Sequence, residues 1–174
     1  YNQGVKENAG IFSQSQGWLI LAEALLGHGN RAFEYYMENS PAAQNDKAEL
    51  RKLEPYCYGQ FTEGKASPHF GRSHVHWLTG TASTVMVGSV EGILGMRPDF
   101  YGLRRAPSIP AEWDGFTVEK DFRGKHLHIE VKNPGHAESG FKCMVINGQT
   151  IFHNYVKEEW LMSKEDNIIT LYMS

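Results

Sequence analysis

The chain has 174 residues, a formal net charge of −3, and is 41% hydrophobic with 12% aromatic residues. Those totals fit a folded globular protein of one domain, or one domain and part of another. The small negative charge leaves no electrostatic footprint for nucleic acid or an anionic membrane, so neither partner is expected.

No signal peptide and no apolar run long enough to span a bilayer is read. The two cysteines, Cys57 and Cys143, lie far apart among apolar neighbours. They read as buried free thiols of a reducing, cytoplasmic compartment rather than as a disulfide framework. The chain starts at Tyr1 without Met, inside a dense motif, and reads as the tail of something longer.

In chain order, Trp18, Leu19, Ala22, Leu25 and Leu26 recur at helical spacing, with Gly27 as the stop. Ser13 or Ser15 is placed to cap this helix. A tight loop, residues 27–30, leads to a second helix with Asn30 as its expected N-cap and Ala32, Phe33, Tyr36 and Met37 along it, so the pair is an αα-hairpin. Residues 41–78 form a long segment rich in Pro, Gly, His and aromatics, of the kind that carries function. A third helix is predicted from Thr79–Gly80 to a stop at Gly95, with Pro98 beyond. Its one charge, Glu91, predicts burial on most sides.

After Pro98 the period changes. Residues 99–115 contain prolines and glycines that break regular structure. Residues 116–133 alternate on either side of Arg123-Gly124-Lys125 as a β-hairpin, and residues 141–152 form a second one around Asn147-Gly148. Residues 167–173 make a last strand. The predicted class is mixed α and β: a helical part over 1–98, a linker over 99–115 and a small all-β, sandwich-like domain over 116–174.

Four clusters hold candidate chemistry. Lys6-Glu7-Asn8 suits recognition of sugar hydroxyls through charge-assisted hydrogen bonds, or is a solvated loop. Glu54, Tyr56, Tyr58 and Gln60 combine rings that stack on a sugar face with groups that pair with hydroxyls, or form an irregular core segment. Thr79-Gly80 at a helix start offers a hydroxyl, backbone N–H groups and the helix dipole to an anion, or is an ordinary N-cap. His69, His74 and His76 make a metal site conceivable, but no Cys, Asp or Glu lies near them in sequence, and no metal is expected.

Together the strings YNQGVKENAGIF, AEALLGHGNRAFEYY, EPYCYGQF, WLTGTAS and GILGMRPDFYGLR resemble the C-terminal portion of the cellobiose, cellodextrin and laminaribiose phosphorylases of glycoside hydrolase family 94. The resemblance implies an (α/α)6 barrel ending near residue 98, followed by the small β domain. It implies inverting phosphorolysis of a β-linked gluco-disaccharide or oligosaccharide by inorganic phosphate, with no cofactor, and often a homodimer. Phosphate is then the nucleophile and one carboxylic acid suffices, unlike the two carboxylates of an inverting hydrolase. That general acid, an Asp, is expected upstream of Tyr1, which leaves the 174 residues inactive alone.

Matched position by position, the resemblance assigns Thr79 and Gly80 to phosphate, displacing the plain N-cap reading. It assigns Tyr1, Lys6, Glu7 and Gln60 to sugar, and Glu54 and Tyr56 to the pocket wall. The family's string usually has a phosphate-binding His where this chain has Gln14, and a neutral amide there predicts weaker phosphate binding. The alternatives are a non-catalytic carbohydrate-binding or scaffold piece and a related hydrolase.

Overall fold

The computed structural model describes residues 1–163 and 166–174. A short strand β1 (Ile11–Phe12) runs into helix α1 (Gln14–Leu25), and helix α2 (Gly29–Asn39) folds back beside it. Gly27, at φ 84°, makes the reversal between them. A 3₁₀ segment, Ala42–Lys47, and the short helix α3 (Ala48–Arg51) follow. Strands β2 (Gly59–Thr62) and β3 (Ser73–His76) then complete an antiparallel sheet in the order β1-β2-β3. Helix α4 (Thr81–Val87) continues as a π-helical turn, Gly88–Ile93, which Gly95 ends at φ 61°.

Four expectations about the helices are corrected. The buried positions of α1 are Gly17, Ile20 and Ala24, whereas Trp18 and Leu26 are 61% and 70% exposed. The face that packs is the one with small residues, because α1 crosses α4 closely. A Cβ on Gly17 would lie 2.3 Å from the Thr84 carbonyl carbon, and one on Gly88 would lie 2.7 Å from the Gly17 oxygen. Asn30 does not cap α2. The helix starts at Gly29 with His28 at the N-cap, two residues earlier, and the Asn30 side chain accepts from the Ala111 N–H at 2.9 Å. Ser13 holds the N-cap position of α1 but its side chain makes no capping hydrogen bond, and the Ser15 hydroxyl donates to the Phe12 carbonyl at 3.1 Å. The outer side of the third helix is also open, with Met86 and Val87 exposed.

The linker expected over 99–115 starts within regular structure, strands β4 (Met96–Asp99) and β5 (Gly102–Arg105). Beyond them come β6 (Gly115–Phe122), β7 (Lys125–Lys132), β8 (Cys143–Ile146), β9 (Gln149–Ile151), β10 (Tyr155–Lys157) and β11 (Asn167–Tyr172). β10 pairs with β5, so one three-stranded sheet, ordered β10-β5-β4, joins the two halves of the chain. The five-stranded sheet has the order β6-β7-β11-β8-β9, antiparallel except where β11 runs parallel to β7. Both predicted hairpin turns are present. Arg123-Gly124 and Asn147-Gly148 have positive φ at both positions, as a type I′ turn requires. Of the two thiols, Cys57 is buried and Cys143 half-buried, and both are free.

A continuous apolar core runs from Ile20, Ala24, Val85 and Ile93 through Leu103 and Ile109 to Leu127, Ile129, Ile169 and Leu171. Phe33 on α2 packs edge-on against Trp113, ring centroids 5.0 Å apart, which fastens the helices to the segment entering β6. Arg105 lies in this core with 0% exposure. Its Nη1 donates to the Leu94 carbonyl at 3.2 Å, at the end of the π-helical turn, while Nε and Nη2 are buried without a partner. Burial pushes its pKa down to about 10. Arg105→Met is therefore expected to be neutral or to stabilise by about 1–3 kcal/mol, since an apolar side chain of similar volume removes an uncompensated charge. Arg105→Ala, which leaves a cavity, should cost about 2 kcal/mol or more. Thermal unfolding of both variants checks this, and a large loss in Arg105→Met would refute it.

Candidate functional site

The close α1–α4 crossing at Gly17 brings the N-termini of the two helices together. The Thr84 hydroxyl donates to the Gln14 carbonyl at 2.8 Å, tying the first turn of one helix to the other. At this junction Gln14 and Gly80 touch. A Cβ on Gly80 would sit 2.9 Å from Gln14 Cδ and 3.0 Å from both its amide nitrogen and oxygen. The turn thus leaves room for the Gln14 carboxamide because residue 80 has no side chain. The Thr79 hydroxyl accepts from the Thr81 N–H at 3.2 Å and shares a hydrogen bond of 2.7 Å with the Thr81 hydroxyl. Thr81 is fully buried and anchors the turn to the Gly59 carbonyl at 3.4 Å. A carboxamide, a hydroxyl and two helix N-termini with their positive dipole ends meet here, a combination that favours an anion.

Residues 1–10 coil tightly beside the β1-β2-β3 sheet. Lys6 has φ 47°, the Gly10 N–H donates to its carbonyl at 2.8 Å, and the Gly64 N–H donates to Gly4 at 2.8 Å. This coil sets Lys6 Nζ 5.5 Å from the Tyr1 ring centroid and 5.8 Å from that of Phe61. Glu7 is exposed. Gln60 faces the other side of β2 from Phe61. Its backbone carbonyl accepts from the Ser13 N–H at 3.0 Å, and its side-chain oxygen is buried without a partner.

No carboxylate lies beside His74 and His76 in sequence, and the fold supplies one to each. Glu63, buried at the end of β2, accepts from the Ser67 hydroxyl and lies 2.5 Å from His74 Nε2. Ser67 first, then His74, hold the Glu63 carboxyl below its ordinary pKa. His74 in turn stacks on Phe61, centroids 4.9 Å apart. Glu54 Oε2 lies 2.7 Å from His76 Nδ1. The strand between these pairs is strained: Val75, a β-branched residue, has φ 56°, and Trp77 has φ 64°. Among the described residues no group of three or more His, Cys, Asp or Glu is arranged to hold a metal ion.

Residues 1–95 match the model of the glycosyl hydrolase 94 superfamily catalytic domain, and the chain belongs to that family. It is 43% identical over 149 residues to an N,N′-diacetylchitobiose phosphorylase of Vibrio furnissii, covering 86% of this chain and 19% of that protein. A solabiose phosphorylase of Paenibacillus borealis is 27% identical, over 85% of this chain and 19% of that protein. A cyclic β-(1,2)-glucan synthase, NdvB, of Rhizobium meliloti is 30% identical over 84% of this chain and 5% of that protein. The chain thus spans about a fifth of the length of the phosphorylases it matches. None of the described helices is long and apolar enough to cross a membrane.

Proposed function

We propose that this chain is the C-terminal part of an inverting glycoside phosphorylase that cleaves a β-linked gluco-disaccharide or oligosaccharide with inorganic phosphate. The observation that carries the reading is the meeting of Gln14 with Gly80 at two facing helix N-termini, in a chain of the glycosyl hydrolase 94 superfamily. Thr79, Gly80 and Gln14 hold the phosphate, with the positive helix ends countering its charge. The sugar lies between Lys6, Glu7 and Tyr1 on one side and the Tyr56 wall on the other, with Glu54 behind that wall. The buried, unpartnered Gln60 oxygen accepts from a sugar hydroxyl.

In the reaction a phosphate oxygen attacks the anomeric carbon from the face opposite the leaving sugar. The glycosidic C–O bond breaks while a C–O–P bond forms, and the proton needed by the leaving oxygen comes from an Asp outside these residues. Residues 1–98 form the last helices of an (α/α)6 barrel. The exposed apolar residues Trp18, Leu19, Leu25, Leu26 and Met86 support this, because they are the sides on which neighbouring barrel helices pack. Residues 116–174 are the appended β domain.

The test uses the complete polypeptide carrying this chain, with cellobiose, longer cellodextrins, laminaribiose and N,N′-diacetylchitobiose, each with and without inorganic phosphate. The last sugar belongs in the panel because it names the relative at 43% identity. Phosphate-dependent release of an α-configured sugar 1-phosphate is expected. Free sugar released at a rate independent of phosphate would make the protein a hydrolase, and no cleavage of any β-linked sugar would favour a binding or scaffold role.

A further inference from the structure

Glu54 lies nineteen residues before β3, the strand that leads to the anion turn, on the far side of β2 in sequence. Yet its carboxylate reaches that turn through space. Oε2 is shielded from solvent and makes an ion-pair contact of 2.7 Å with His76 Nδ1, without the alignment of a hydrogen bond. The Glu54 carboxyl stays below its ordinary pKa because its own backbone N–H, then His76 and the Trp77 side chain, favour the anion. Trp77 also meets the Tyr56 ring, centroids 5.7 Å apart at 52°.

The backbone that these groups surround is folded against its preference. The Leu78 N–H donates to the His76 carbonyl at 2.7 Å, closing a three-residue turn centred on Trp77 at φ 64°. The Thr79 N–H donates to the Trp77 carbonyl at 2.9 Å, closing a second one. The positive-φ form of such a turn is rare and strained, and it persists only where the surroundings impose it. Its last residue is Thr79. Nothing in local sequence stabilises a Trp in that conformation, so the restraint must come from tertiary contacts: Glu54 against His76 at the start of the turn, and the Tyr56 ring against Trp77 at its centre.

We propose that Glu54 is a positioning residue: by holding His76 it locks the strained Trp77 turn that delivers Thr79 and Gly80 to the phosphate. The role rests on the phosphate reading of that turn. Glu54 itself need not touch the substrate. His76 is the second half of the same fastener, and Tyr56 its apolar backing.

The experiment compares Glu54→Gln, His76→Gln and the double variant in the complete polypeptide. In each single variant the phosphate KM is expected to rise about tenfold, since displacing a positioning group by ~1 Å can cost on the order of 100-fold. The kcat at saturating phosphate should change far less. The double variant should be no worse than either single one, because both changes open one fastener. The same proteins labelled with ¹⁵N-tryptophan report the turn without any activity: the Trp77 indole resonance, assigned with Trp77→Phe, should shift in both single variants. An unmoved resonance in both overturns the proposal, as does a moved resonance with unchanged phosphate KM. If the unsubstituted protein shows no phosphate-dependent cleavage, the reading of the site fails instead, and the resonance alone then decides whether Glu54 fastens the turn.

Discussion

Replacing Gly17 with Ala is expected to unfold the helical part more readily and, in the complete polypeptide, to weaken phosphate binding at the same time. On helix propensity alone the change should help, because Ala is better than Gly by about 1 kcal/mol in a helix interior. The packing outweighs this. The new Cβ would stand 2.3 Å from the Thr84 carbonyl carbon and 2.5 Å from its oxygen, both backbone atoms that cannot rotate away. The two helices must move apart, and overpacking of that kind costs about 1–3 kcal/mol. Separation also breaks the 2.8 Å bond from Thr84 to Gln14 and draws the carboxamide off Gly80. Gly135 is the control: a Cβ there meets nothing within 4 Å, so Gly135→Ala should leave the melting temperature unchanged. Thermal unfolding and phosphate KM together check the prediction. A Gly17→Ala protein as stable as the original would mean that the crossing is looser than described.

Why the crossing escaped the sequence is a matter of which side chains carry its signal. Periodicity picks out large apolar residues, and on α1 those are Trp18, Leu19, Leu25 and Leu26, all exposed. The surface that packs uses Gly17 and Ala24 against Gly88 and Gly92. Its energy comes from the close approach of backbones, to which a hydrophobic pattern is blind. The hairpins were legible for the opposite reason. Asn147-Gly148, and Gly124 in the other turn, carry their φ requirement in the residue types themselves, and the alternation on β7 shows as buried Leu127, Ile129 and Val131. Pro98, read as lying beyond the stop of the third helix, falls in β4, the edge of its sheet, where a missing N–H is tolerated.

The site was half legible. The residue strings place Thr79, Gly80 and Gln14 in one family pattern, and the helices then bring Gln14 and Gly80 into contact. Glu63 and Glu54 could not be paired with His74 and His76 from spacing. Each pair closes only when β2 and β3 align, with Phe61 opposite His74 and Gly59 opposite His76. Strain at Val75 and Trp77 left no trace in composition either. Both residues are ordinary strand formers, and only the fold forces them to positive φ.

Gln14→His is expected to lower the phosphate KM of the complete polypeptide several-fold, and Gly80→Ala to raise it. The Gln14 carboxamide offers phosphate a neutral donor, whereas a protonated imidazole at the same place donates with charge, and charge-assisted hydrogen bonds are roughly twice as strong. Since a free imidazole titrates near pH ~6.5, the His variant should also bind phosphate more tightly below that pH relative to the unsubstituted protein, whose amide does not titrate. Gly80→Ala works through the same contact from the other side. Its Cβ would press on Gln14 Cδ at 2.9 Å, and that group is the end of a flexible chain, so the fold survives while the carboxamide swings away. The opposed directions make the pair decisive. If neither substitution moves the phosphate KM, Gln14 does not contact phosphate, and its place beside Gly80 is packing alone. If Gln14→His tightens binding and Gly80→Ala loosens it, the two helix N-termini act as one anion site whose strength residue 14 sets.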